Sequence, residues 1–419
     1  MSVLDDIQKS FIKKESIYGP DNYKPLPVVL SKAKGVWVWD VSEKKYLDMM
    51  SGYSAVSHGH AHPVLLKTFH DQSSRLSLTS RAFYTDTLGP YLETITQMTG
   101  FEMALPMNSG AEAVETAIKS SRRWAYRTKK VEENKAEIIV AEGNFHGRTT
   151  TIISFSTDEN SRKDFGPHTP GFVAVEYGSS KAIEDAITPN TAAVIIEPIQ
   201  GEGGIIVPPD NYLNEVRAIC TKHNVLMILD EIQSGLGRTG KLFAYQHSCG
   251  QCSCGENSCD VQPDGLILGK ALGGGFMPVS VFLSSEEVLG WMDPGSHGST
   301  FGGNPLASAL AKRSLELLYE ENLIENSRVM GDYFKEQLTV LDSELIVEIR
   351  GMGLWLGVEI DQKYISGNEL SKTLLEAGIL CKETHENTIR FAPPLVVTKE
   401  ELDWGIEKIA KVFSEVTKS

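Results

Sequence analysis

With 419 residues, 41% hydrophobic and 23% charged, the chain has the composition of a globular protein large enough for two or three domains. Its formal net charge of -15 disfavours nucleic acid and anionic membrane as partners, and no apolar run is long enough to span a bilayer. The opening residues, MSVLDDIQKSFIKKES, lack the apolar core of a secretion signal and carry acids that a transit peptide avoids, so the expected setting is the cytoplasm.

In chain order, residues 36–48 (VWVWDVSEKKYLD) read as a hairpin. HGHAHP at 58–63 sets three histidines at alternate positions. Such a set could chelate a metal, but Gly59 and Pro63 favour an irregular turn leading into a helix. ALPMNSGAEAVETAIKSSRRWAYR reads as an apolar stretch, a loop at Asn108-Ser109-Gly110 and then a helix. Glu112 and Glu115 come early in that helix and Arg122, Arg123 and Arg127 late, which complements its dipole.

EIIVA (137–141), AAVIIE (192–197), VLMILD (225–230) and LILGK (266–270) read as buried strands. Their alternation with helices predicts a mostly parallel sheet covered on both faces. GLGRTG at 235–240 matches G-x-G-x-x-G, but it does not sit between a strand and a helix, so it is a poor dinucleotide loop. From about residue 305 the pattern changes. Asn304 and Pro305 open a helix as N-cap and N1, LIVEIRGMGLWLGVEI and NTIRFAPPL alternate like antiparallel strands, and Thr398–Glu401 is a capping box for the last helix. The expected fold is α/β: a large domain over 51–304, and a small α+β domain over 305–419 to which the N-terminal segment 1–50 contributes.

Ligands of an open parallel sheet bind beyond the carboxyl ends of its strands. Three polar residues fall there: Glu197, Asp230 and Lys270. A buried amine loses its preference for the charged state and can condense with an aldehyde. An acid on a neighbouring strand can hold a protonated ring nitrogen, and the helix start at Gly110-Ala111 can take a phosphate. Aldehyde, ring nitrogen and phosphate together describe pyridoxal 5′-phosphate (PLP). Each feature alone has a plainer reading: a snorkelling surface lysine, a turn-forming aspartate, an ordinary helix start. Only their occurrence in one sheet argues for a site.

LDEIQSGLGRTGK followed by LILGKALGGG resembles the signature of the class-III aminotransferases of PLP fold type I, and within them the ornithine-specific branch. The likeness runs through YGPDNYKPLPVVL, SGYSAVSHGHAHP, SRAFY, MNSGAEAVETA, GNFHGRT, EPIQGEGG, HGSTFGGNP and IRFAPPL, covering nearly the whole chain. It implies a homodimer with active sites shared at the subunit interface, with larger assemblies left open. Lys270 would carry the cofactor covalently and later shuttle a proton, and Asp230 would pair with the ring nitrogen. Gln233 would bond the phenolic oxygen and Phe145 would lie on the ring face. Ser109, Gly110 and Ala111 would cup the phosphate, joined by Ser299 and by Thr300 from the partner subunit. His146 stands where some members carry Trp, a departure expected to matter little.

The implied reaction moves the δ-amino group of L-ornithine to 2-oxoglutarate, giving glutamate-5-semialdehyde and L-glutamate in two half-reactions. Arg148 would bind the distal carboxylate of 2-oxoglutarate and Arg390 its α-carboxylate. Glu202 would mask Arg390 while ornithine is bound, Tyr23 would hold the ornithine carboxylate, and Tyr53 would shape the pocket around its α-amino end. Glu197 is counted with these substrate-facing residues. N-acetylornithine or 4-aminobutyrate aminotransfer is the alternative, and a non-catalytic protein that keeps the fold for binding stands behind both.

CGQCSCGENSC, residues 249–259, departs from the family pattern. Cys249, Cys252, Cys254 and Cys259 suit one tetrahedral Zn²⁺, with Gly250 and Gly255 letting the backbone wrap it. A reversible disulfide and an inert loop are the competing readings, and an iron–sulfur cluster suits this compact spacing less well.

Overall fold

A computed structural model describes residues 6–248, 261–341 and 343–418. The apolar runs build one seven-stranded sheet. Its order is Met103–Met107, Ser280–Ser284, Gly265–Leu268, Leu226–Asp230, Thr191–Ile196, Glu137–Ala141, Phe172–Val175. Ser280–Ser284 runs antiparallel to both neighbours, and the strands from Gly265–Leu268 to Phe172–Val175 pair in parallel. Every residue of Thr191–Ile196, Leu226–Asp230 and Gly265–Leu268 is buried. Burial on both faces is why these stretches read as unbroken apolar runs rather than alternating ones.

This order sets Leu226–Asp230 between Thr191–Ile196 and Gly265–Leu268. Glu197, Asp230 and Lys270 therefore lie at or just past the carboxyl ends of three adjacent parallel strands. The helix Gly110–Trp124 packs on the same sheet, and its start is tied to it by Ser280 Oγ, which donates to the Ser109 carbonyl at 2.6 Å. Gly110 suits the closeness of this approach, since a Cβ there would meet the tip of the Ile232 side chain at 2.8 Å and push it aside.

Two smaller sheets flank the large one. The hairpin read at 36–48 is present as Trp37–Asp40 against Lys45–Asp48. Leu30–Lys34 extends it on one side, and on the other Leu47 pairs in parallel with Ile379, so distant stretches of the chain share a sheet. The other sheet is antiparallel through Ile346–Met352, Trp355–Ile360, Thr388–Phe391 and Lys382–Thr384. The helix caps fall as the residues dictate. The Asn304 side chain accepts from the Ala307 N–H with Pro305 next to it, and Thr398 and Glu401 form their reciprocal box. Among the described residues no helix is long and apolar enough to cross a membrane.

Candidate active site

A cavity of about 490 Å³ opens at the carboxyl ends of the central strands, lined among others by Ser109, Gly110, Ala111, Phe145, His146, Glu197, Asp230, Gln233 and Lys270. Ser109 caps the helix start. Its hydroxyl accepts from the Glu112 N–H at 3.2 Å, and its own N–H donates to Glu112 Oε2 at 2.7 Å. Glu112 thus occupies one of the amides expected to meet a phosphate. The N–H groups of Gly110 and Ala111, in the first helical turn, have no acceptor within the helix and are donors of the kind that can cradle an anion.

Asp230 is 5% exposed. Its Oδ1 accepts from the Ile232 N–H at 3.0 Å, and its Oδ2 lies 2.7 Å from His146 Nδ1. Burial opposes charge on His146, but the bond to Asp230 and its negative field outweigh burial and raise the imidazole pKa. His146 is thus built into the lining of the cavity. Glu197 also lines the cavity. It brackets two loops, accepting from the Phe145 N–H at 3.1 Å and the Gly201 N–H at 3.4 Å. Burial lifts its carboxyl to about 7, with His146 opposing and Asp230 adding to the rise.

Lys270 lies two residues past its strand, at the start of a short turn, with φ of 45°. A side chain in this left-handed region is costly, and such strain gathers at functional positions. Loss of hydration lowers its pKa from the ordinary 10.5 to about 8, against the pull of Glu202. Gln233 Nε2 is buried with no hydrogen-bond partner among the described residues. An orphaned donor, a buried carboxylate, an amine of lowered pKa and a helix-start cradle around one cavity fit PLP.

Arg390 is 3% exposed, and its Nη1 lies 2.7 Å from Glu202 Oε1. Its guanidinium carbon sits 5.2 Å from the centre of the Tyr53 ring. Burial alone would raise the Glu202 carboxyl, but Arg390, with help from Lys270 and Arg148, holds it below its ordinary value. Arg148 lies 5.6 Å from the Phe145 ring centre and is exposed. Tyr53 and Tyr23 line an adjoining cavity of about 810 Å³, which shares Val56 with the first. Ser299 accepts from Asn108 Nδ2 at 2.9 Å, behind the anion cradle, whereas Thr300 is exposed and does not line this chain's cavity.

The three histidines of HGHAHP point to three separate partners. His58 meets the Ser314 carbonyl at 2.9 Å, His60 meets Asp48 at 2.7 Å and His62 meets Glu321 at 3.1 Å. Among the described residues no cluster of His, Cys, Asp and Glu is placed to hold a metal. Cys249, Cys252, Cys254 and Cys259 lie outside the described residues. Residue pattern did not point to the bond between His146 and Asp230. The single available signal was polar residues inside otherwise apolar or glycine-rich motifs.

Comparison with known proteins agrees with this geometry. The family model described as "Aminotransferase class-III" matches residues 18–413. An ornithine aminotransferase of Brevibacillus brevis is 53% identical over 402 residues, covering 96% of this chain and 97% of the relative. Among solved structures, ornithine aminotransferase from Toxoplasma gondii, described with partial occupancy of PLP at its active site, superposes with a TM-score of 0.94 at 41% identity, covering 98% of this chain and 95% of that one. Acetylornithine aminotransferase from Elizabethkingia anophelis superposes with a TM-score of 0.86 at 44% identity, covering 97% and 99%.

Proposed function

The chain belongs to the class-III aminotransferases, and from that premise we propose an ornithine δ-aminotransferase that passes the δ-amino group of L-ornithine to 2-oxoglutarate, forming glutamate-5-semialdehyde and L-glutamate. PLP, when bound, supplies the aldehyde that accepts the amino group and a ring that draws electrons from the reacting carbon. Gly110 and Ala111 would hold its phosphate through their N–H groups. Asp230, bonded to His146, would keep the ring nitrogen protonated, and Gln233 Nε2 would donate to the phenolic oxygen. Phe145 would offer an aromatic face to the ring, and Ser299 would support the phosphate loop through Asn108. Lys270 anchors the cofactor and moves the proton at the carbon that bears the amino group. An amine with a pKa of about 8 can accept and return a proton near neutral pH.

The observation that carries the choice of substrate is the Arg390–Glu202 pair under the Tyr53 ring. A free buried guanidinium at Arg390 would capture the α-carboxylate of ornithine and present the α-amine. Paired with Glu202, it is masked, and ornithine is left to enter with its δ-amine first while Tyr23 and Tyr53 receive the other end. When 2-oxoglutarate enters, Glu202 swings away, Arg390 takes the α-carboxylate and Arg148 the distal one. Glu197 supports this pocket from behind by bracketing Phe145 and Gly201.

The likeness to acetylornithine aminotransferase favours N-acetylornithine as a second reading. Steady-state kinetics with ornithine, N-acetylornithine and 4-aminobutyrate separates the readings. A kcat/KM for ornithine at least about tenfold above both others is expected. A preference for N-acetylornithine would replace the first reading with the second.

A homodimer sharing its sites accounts for Thr300, which is exposed and away from its own chain's cavity. The contribution of 1–50 to the small domain draws support from the shared sheet at Leu47 and Ile379, whereas the helix Pro305–Glu320 packs on Pro63–Arg75 and Leu88–Thr99, which favours a boundary after that helix rather than at 305. The cytoplasmic setting rests on the reading of the opening residues alone. Zn²⁺ at Cys249, Cys252, Cys254 and Cys259 rests on ligand type and spacing. About one equivalent of zinc per chain in protein purified without chelator would support it, and metal-free protein with four titratable thiols would remove it.

A further inference from the structure

The turn Ser51–Ser54 is left-handed throughout, with φ of 45° at Ser51, 56° at Gly52, 58° at Tyr53 and 71° at Ser54. Three of the four are not glycine, and side chains crowd the following carbonyl in this region, so such a run needs outside support. Part comes from Asp48, whose Oδ1 accepts from the N–H groups of Met50 at 2.8 Å and Ser51 at 2.9 Å. Ser51 Oγ also donates to the Ala392 carbonyl.

The rest comes from a buried cation. Arg238, the polar residue of GLGRTG, has no exposed surface, and no carboxylate lies within ion-pair distance of it among the described residues. Its Nη2 donates to Ser57 Oγ at 2.9 Å and to Ser51 Oγ at 3.4 Å. Its Nη1 donates to the carbonyls of Pro393 at 2.6 Å and Leu354 at 2.9 Å. The two serines flank Tyr53, and Pro393 follows Arg390 by three residues. One planar guanidinium therefore ties the turn that presents Tyr53 to the segment that leads out of Arg390. Burying an arginine on neutral oxygens is expensive, and only its two Nη groups are bonded here, Nε being a buried donor with no partner among the described residues; the four bonds use a planar fork that a point charge could not reproduce.

We infer that Arg238 is a positioning residue for substrate choice. It sets the Tyr53 turn against Arg390 and thereby the preference for a donor carrying an α-amino group at its far end over 4-aminobutyrate. This inference rests on the aminotransferase reading above.

The test compares Arg238→Met, Arg238→Lys and Ser57→Ala with the wild-type holoenzyme in two measurements. One is the ratio of kcat/KM for ornithine to that for 4-aminobutyrate; the other is amide hydrogen exchange over 49–58, 391–397 and, as reference, 226–230. Arg238→Met should lower the ratio about tenfold and speed exchange in the first two segments while leaving the third unchanged. Ser57→Ala should shift both in the same direction by less, and Arg238→Lys should recover part of the loss. A ratio within twofold of wild type in Ser57→Ala, which removes one hydroxyl and decides the matter if Arg238→Met does not fold, would overturn the selector role even if exchange rises. If the wild type does not turn over ornithine, that failure belongs to the proposed function. Unchanged exchange over 49–58 in the variants would then overturn the clamp itself.

Discussion

Replacing Glu202 with Ala removes the partner of a guanidinium that is 3% exposed and 2.7 Å away. Breaking a buried ion pair from one side costs about 3–5 kcal/mol because the other charge is left buried and unpaired. The Glu202 side chain keeps 31% of its exposure, so the low end, about 3 kcal/mol, applies here. An incoming α-carboxylate recovers that energy by taking the vacated place. At about 1.4 kcal/mol per tenfold, kcat/KM for glutamate should rise by up to about a hundredfold. Ornithine should suffer, because its α-carboxylate now docks on Arg390 and aims the α-amine at the reacting centre. Single-turnover half-reactions with each donor, followed by cofactor absorbance in the stopped flow, read both effects. Equal loss in the two half-reactions would refute the gate and leave Glu202 as a structural residue. The gate should also be insensitive to pH in ordinary assays. Burial raises the Glu202 carboxyl, but Arg390 holds it below its ordinary value of 4.5. A depressed carboxyl contributes its pairing fully above the ordinary value and loses it only as pH falls through the lower folded value. The ornithine-to-glutamate preference of the wild type should therefore stay flat from about pH 6 to 9.

Lys270→Met should abolish turnover, and borohydride should no longer fix a pyridoxyl group on the peptide that contains residue 270; a label persisting on another lysine would refute the assignment. In cofactor-free protein the same change should stabilise the fold below pH 8. There the buried ammonium of the wild type, with its pKa lowered from 10.5 to about 8, costs about 3 kcal/mol. That cost declines as pH rises from 8 and vanishes above 10.5, so urea midpoints of the two proteins should converge in alkali. His146→Phe removes the bond to Asp230, a loss of about 1.5–3 kcal/mol for a charged hydrogen bond. It should weaken cofactor binding by about ten- to a hundredfold by equilibrium dialysis, and unchanged affinity would return His146 to a packing role. Tyr53→Ile should move the kcat/KM preference from ornithine towards 4-aminobutyrate, and an unchanged ratio would count against Tyr53 as a selector.

The cofactor end of the site was legible because it follows from local rules. Asp230 and Lys270 stand out as polar residues at the ends of apolar runs, and the cradle at Gly110 follows a serine with a glutamate three residues on. The selecting end was legible only through resemblance. Arg390 lies in a strand no more conspicuous than its neighbours, and its pairing with Glu202 joins residues far apart in sequence. The left-handed turn at Ser51–Ser54 leaves no pattern at all, because only one of its residues is glycine and long-range bonds to Arg238 hold it. The bond of His146 was hidden for the same reason: a side chain that meets Asp230 across the sheet end carries no periodic signal. HGHAHP was read rightly for a local reason: Gly59 and Pro63 favour a turn into a helix over a metal site, and the helix Pro63–Arg75 follows while the three histidines go to separate partners.

The parallel pairing of Leu47 with Ile379 sets an order of assembly. During synthesis, every strand of the seven-stranded sheet has emerged once Ser284 has, so the anion cradle, Asp230 and Lys270 can be brought together early. The Lys45–Asp48 edge of the hairpin at residues 37–48 has no partner until the chain is nearly finished, and Arg390 and the Pro393 carbonyl arrive later still. Contacts so distant in sequence are the slowest to close. Competence to hold the cofactor should therefore appear on the nascent chain before the ability to tell one amine donor from another. A chain stalled or cut before residue 379 would be a candidate for a protein that binds its cofactor but has no means of choosing a substrate.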